Sequence, residues 1–146
     1  MDAAKRILVA TDGSAGADRA VTFGSELAIG LNARLTIVTV SDIRGNADLE
    51  RFSRTEGTTL GDVMEAEAQA ILGRACAAAR AKGAEIDKTE ALTGDATELI
   101  LEAANQVRPL LVAVGKRGRG RLEGLLLGSV SQKLISLSRC PVIVVP

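Results

Sequence analysis

The sequence predicts an α/β fold, a parallel five-stranded sheet with helices on both faces. Three observations lead there. Five short apolar segments alternate with helix-period segments in the order βα, βα, βα, βα, β. Such alternation implies parallel strands joined by right-handed crossovers. Several of the apolar segments run almost without a polar break, as strands covered on both faces do. Finally, a stretch rich in glycine and basic residues, GKRGRGRLEGLLLGSVS from Gly115 to Ser131, separates the fourth strand from the last helix. At 146 residues the chain is expected to form one domain spanning 1–146.

The first apolar run is Arg6–Thr11, RILVAT. Gly13 and Ser14 interrupt it. Ala17, Ala20, Val21, Gly24, Leu27, Ala28 and Leu31 then recur at helical spacing, with Ser14 placed as N-cap and Asp18 in the first turn. Arg34–Val40, RLTIVTV, is β-branched and reads as the second strand. Asp42 to Gly61 is polar, contains glycine and has no period. It is expected to be a loop that is disordered, or ordered only when a nucleotide or a partner is present.

Asp62–Lys82 is rich in Ala, Glu and Arg and predicts a long helix stopped by Gly83. Val63, Ala66, Ala70, Ile71, Ala75 and Ala78 form its expected apolar stripe. Ala84–Leu92 is a polar strand suited to a sheet edge. Asp95 and Glu98 resemble a capping box for a helix carrying Leu99, Ile100, Ala103, Ala104 and Val107, which ends before Pro109. Leu110–Val114 is the fourth strand, Ser129–Ser138 the last helix, and Pro141–Val145 the closing strand.

Composition removes several functions. Lys+Arg and Asp+Glu both total 18, so no global charge draws the chain to nucleic acid or an anionic membrane. Histidine, tryptophan and tyrosine are absent, which excludes imidazole chemistry and weakens any reading that needs stacking platforms for single-stranded nucleic acid. Cys76 and Cys140 fit no metal or redox spacing and read as buried thiols of a reducing compartment. The N-terminal residues do not resemble a signal peptide, and no stretch has the apolar length of a membrane span. A cytoplasmic location is expected.

Ligands of open parallel sheets bind beyond the carboxyl ends of strands, where strand order reverses. That brings Thr11 and Asp12 to one crevice with Val114 and Gly115. The glycine stretch has neither a Walker A spacing nor GxGxxG. It reads Gly115-x2-Gly118-x9-Gly128-Ser129. Glycines let backbone N–H groups approach an anion without a Cβ clash and adopt φ > 0. Gly128-Ser129 opens a helix whose N-terminal N–H groups favour phosphate, with Ser129 and Ser131 offering hydroxyl donors. The glycines have a second reading as turn and packing residues. Lys116, Arg117, Arg119 and Arg121 read as a solvated rim.

This spacing, together with RILVATDGS, GDATELILEAA, LLLGSVS and CPVIVVP, resembles the universal stress protein family over almost the whole chain. The resemblance implies a Rossmann-like, adenine nucleotide hydrolase-like sandwich with strand order 3-2-1-4-5. It implies ATP, with Mg²⁺, as cofactor. Ala10, Thr11 and Asp12 would line the nucleoside side. Val40 would pack by the base and offer backbone groups to it. Val114 and Gly115 would lie under ribose and phosphates, which Gly118, Gly128, Ser129, Val130 and Ser131 would hold. It also implies a homodimer through the last strand, whose Val142–Val145 segment has no charge. Lys116 departs from the family, which often has serine there. The expected role is nucleotide-dependent regulation with at most slow ATP hydrolysis. A nucleotide-independent dimer, or a weak ATPase or adenylate-handling enzyme, is the alternative. Adenylate-forming enzymes of related fold usually use a histidine motif that this chain lacks.

Overall fold

A computed structural model describes residues 4–42, 59–116 and 127–146. They form β1 (Arg6–Ala10), α1 (Ala15–Leu31), β2 (Arg34–Ser41), α2 (Leu60–Lys82), β3 (Ile86–Thr93), α3 (Ala96–Val107), β4 (Leu111–Gly115), α4 (Ser129–Leu137) and β5 (Val142–Val145). The five strands make one parallel sheet in the order β3-β2-β1-β4-β5, as expected.

The apolar runs are explained by burial on both faces. Ile7 and Val9 of β1, Leu35 and Ile37 of β2 and Ala113 of β4 point to a layer made by α1 and α2. Leu8, Ala10, Val38, Val112 and Val114 point to the opposite layer, made by α3 and α4. Alternate side chains leave a strand on opposite faces, so one continuous apolar run supplies two cores.

Local signals set the helix ends. Ser14 Oγ accepts the Ala17 N–H at 3.2 Å, Thr59 Oγ1 that of Asp62 at 3.1 Å, and Asp95 Oδ1 that of Glu98 at 2.9 Å. Each side chain satisfies a donor that the first helical turn leaves unpaired. Gly83 stops α2 at φ 95, and Asn32 and Arg108 stop α1 and α3 at φ 54 and 53.

Some boundaries and faces differ from expectation. Leu60 and Gly61 belong to α2, because the Thr59 cap starts the helix two residues before Asp62. The buried stripe of α2 is Met64, Ala68, Ile71, Leu72, Ala75, Cys76 and Ala79, whereas Ala66, Ala70 and Ala78 face solvent. Alanine occurs all round this helix and has little transfer energy, so the bulkier Met64 and Leu72 turn the helix toward the sheet. Leu31 is also exposed, at the end of α1. Residues 43–58 of the expected loop lie outside the described residues. Cys76 is buried and Cys140 half-buried.

Candidate functional site

The crevice is built at the carboxyl ends of β1 and β4, where β2 lies to one side of β1 and β4 to the other. On the β1 side the chain turns sharply after Thr11. The Thr11 N–H still bonds the Val38 carbonyl at 2.9 Å, so β1 follows β2 up to that residue. The next ladder donor, the Gly13 N–H, turns back to Thr11 Oγ1 at 3.1 Å. Asp12 Oδ1 accepts the Ser14 N–H at 2.9 Å. Gly13 sits at φ 81, a left-handed conformation that favours glycine. The Gly13 carbonyl accepts from Arg74 Nη2 of α2 at 3.0 Å.

This early turn uncovers part of β2. Backbone polar groups of a strand alternate sides. The Val38 carbonyl faces β1, and the Ser41 carbonyl faces β3, where it accepts the Gly94 N–H at 2.9 Å. The N–H and C=O of Val40 therefore point to the β1 side, beyond the end of β1. Its side chain packs against the α3–α4 core. Ala10 and Thr11 are buried under the turn. Beside this edge, a cavity of about 260 Å³ lies at the ends of β2 and β3, with Ser41, Met64, Leu92 and Thr93 in its lining.

On the β4 side, Gly115 allows a close backbone approach. A Cβ there would lie 2.7 Å from Gly16 C and 2.8 Å from Ala17 N, at the start of α1. Lys116 then links three elements. Its N–H bonds the Val145 carbonyl of β5 at 2.7 Å, and its carbonyl accepts the Gly128 N–H at 2.8 Å. The Ser131 hydroxyl donates to the Gly115 carbonyl at 2.8 Å. These bonds hold the N-terminus of α4 against the end of β4.

Among the described residues no side-chain hydrogen bond caps that N-terminus, and the first bond of the helix runs from the Gln132 N–H to the Gly128 carbonyl at 3.0 Å. The N–H groups of Ser129, Val130 and Ser131 precede that bond. Ser129 is exposed, Val130 partly buried against the α3–α4 core, and Ser131 buried.

Two expectations need correction here. The Ser131 hydroxyl donates to the Gly115 carbonyl, so it is not a free donor as the sequence suggested. Gly128 has φ −71 and ψ 161, an extended conformation open to any residue, so its backbone angles do not call for glycine. Gly118 lies outside the described residues, as do Arg117, Arg119 and Arg121. Arg74 and Gly16 escaped the sequence reading. Neither carries a motif signal, because each is defined by what it touches across the fold.

A parallel sheet in the order β3-β2-β1-β4-β5, with helices on both faces, is a doubly wound α/β fold whose switch point lies between β1 and β4. The chain matches the model of the universal stress protein family over residues 3–146, and it belongs to that family. A universal stress protein of Thermus aquaticus is 33% identical, with 97% of this chain and 98% of the relative covered. Stress response protein NhaX of Bacillus subtilis is 29% identical, covering 97% and 98%. Among solved structures, universal stress protein UspA from Lactobacillus plantarum superposes with a TM-score of 0.77 at 25% identity, over 99% of this chain and 100% of that one. A universal stress protein solved in complex with cAMP has a TM-score of 0.70 at 30% identity, over 99% and 98%.

Proposed function

We propose that this chain is an adenine-nucleotide-binding regulatory module that takes ATP with Mg²⁺ in the crevice between β1 and β4. The observation that carries this reading is the N-terminus of α4, held against the end of β4 by the Lys116 carbonyl and the Ser131 hydroxyl. Three consecutive N–H groups and the positive end of the helix dipole give a seat for phosphate. The Val40 N–H and C=O give a donor and an acceptor for the edge of a base, and Asp12 gives an acceptor for a ribose hydroxyl. The relative in complex with cAMP supports an adenine nucleotide as the ligand class. Mg²⁺ binds through the phosphates and water, as this small cation usually does.

Turnover is slow in this reading. Asp12 already accepts the Ser14 N–H, and with no histidine in the sequence it has no imidazole relay. Two copies pair through β5, the uncharged edge strand.

The test is calorimetric titration with ATP and Mg²⁺. Wild-type protein binds ATP, and Gly128→Val loses at least about tenfold in affinity, because a β-branched side chain fills space that phosphate needs. Equal affinity in a Gly128→Val protein with a native far-UV spectrum would remove α4 from the site. Mass analysis of the small molecule released on denaturation identifies the nucleotide carried.

A further inference from the structure

The turn on the nucleoside side of the crevice is held in two ways. Three of its hydrogen bonds are local: Gly13 N–H to Thr11 Oγ1, Ser14 N–H to Asp12 Oδ1, and Ala17 N–H to Ser14 Oγ. These bonds shape the turn but move with it. A further hydrogen bond ties it to another layer: Arg74, one helix away and 61 positions along the chain, donates through Nη2 to the Gly13 carbonyl at 3.0 Å. The same turn of α2 packs beneath it. A Cβ at Gly13 would lie 3.0 Å from both Arg74 Nη2 and Ile71 Cγ1. Among the described residues Arg74 has no acidic partner, so its charge is not explained by an ion pair.

We propose that Arg74 is a positioning residue for nucleotide binding: its guanidinium fixes the Asp12–Gly13–Ser14 turn against α2 and so sets where Asp12 is presented. The proposal rests on the crevice being a nucleotide site. Glycine in the left-handed region has many alternative conformations, and an untied Gly13 would sample them. The Arg74 donor is charged, and unlike the local bonds its hydrogen bond anchors the turn to a separate helix, so it narrows the ensemble. Affinity falls in proportion to the fraction of molecules holding the binding-competent turn. Arg74 therefore acts on affinity without touching the ligand. Because α2 carries it, the setting of the nucleoside side depends on a helix on one face of the sheet, while the phosphate seat depends on α4 on the other.

The experiment is a double-mutant cycle on the full chain, read by ATP calorimetry and thermal unfolding. Arg74→Met weakens ATP by about tenfold, the scale of one lost charge-assisted hydrogen bond, with little change in melting temperature. Arg74→Lys, which keeps one charged donor, recovers part of that loss. In an Asp12→Ala background the same Arg74→Met change costs less than about twofold, because what it positions is gone. Wild-type affinity in Arg74→Met would overturn the inference and leave the nucleotide site standing. So would Arg74 and Asp12 effects that simply multiply, or an affinity loss matched by a fall in melting temperature. Failure of the wild-type protein to bind any adenine nucleotide would overturn the site reading and this inference together.

Discussion

At the scale of single residues, two side chains contradict what their type suggests. Ser131 belongs by type to a phosphate loop, yet its hydroxyl joins α4 to β4. Thr36 sits in the middle of β2 with 1% exposure, and its Oγ1 has no hydrogen-bond partner. A buried hydroxyl without a partner has lost its water and gained nothing. Thr36→Val removes that cost and keeps a β-branched side chain in a strand. The expected result is a gain of about 1 kcal/mol in urea unfolding, with an unchanged m-value. A loss of stability would show that the hydroxyl has a partner when the protein is in water. Neither residue's role was legible in the sequence. A hydroxyl's partner is decided by what the fold places within about 3 Å of it.

At the scale of elements, β4 and α1 approach each other closely at the crevice. The end of β4 passes the first turn of α1 with only a hydrogen on Gly115 between them. The obstructing atoms are backbone atoms of Gly16 and Ala17, which no rotamer change can move. Gly115→Ala must push α1 away from the sheet. The expected cost is about 1–3 kcal/mol in chemical unfolding, the usual range for overpacking. Weaker ATP binding accompanies it, because the first turn of α1 follows the Asp12 turn directly. Native stability in Gly115→Ala would mean that α1 shifts freely. The second reading of this glycine, as a packing residue, therefore has direct structural support, alongside its place beneath a proposed ligand. The start of α1, the end of α2 and both ends of α3 were legible from Ser14, Gly83, Asp95 and Pro109, since caps and stops act over a few residues. The buried face of α2 was misread because alanine repeats on every side of it.

At the scale of the whole molecule, the two edges of the sheet are treated differently. β3 carries Asp87, Lys88 and Glu90. Arg6 reaches Asp87 at 2.5 Å, and Lys88 pairs with Glu90. Charges on an edge strand oppose pairing with another chain. β5 carries four apolar residues and no charge. Its Pro141 and Val145 carbonyls bond β4, so by alternation the N–H and C=O groups of Val142 and Val144 point outward. An antiparallel partner strand, related by a two-fold axis, would complete them. The expected state at tens of micromolar is a dimer by sedimentation equilibrium, shifted to monomer by Ile143→Lys. A folded Ile143→Lys dimer, or a wild-type monomer, would remove β5 as the interface. Arg19 Nε bonds the Pro146 carbonyl at 2.7 Å, which fixes the end of this edge to α1.

The sequence by itself determined the order of the elements, their parallel pairing and the strand from which the glycine stretch leaves. These follow from local rules: apolar period, caps, stops and the handedness of crossovers. It also marked the segment that opens α4, because glycine and serine at a helix start have a short-range meaning. Tertiary structure alone decided which polar groups of those segments are spent and which are offered. The Ser131 hydroxyl is spent because β4 ends beside it. The Val40 N–H and C=O are offered because β1 ends two residues too early to cover them. Arg74 reaches the Gly13 carbonyl because α2 packs against that turn. Each outcome depends on a distance between segments far apart in the chain, and no local pattern encodes such a distance.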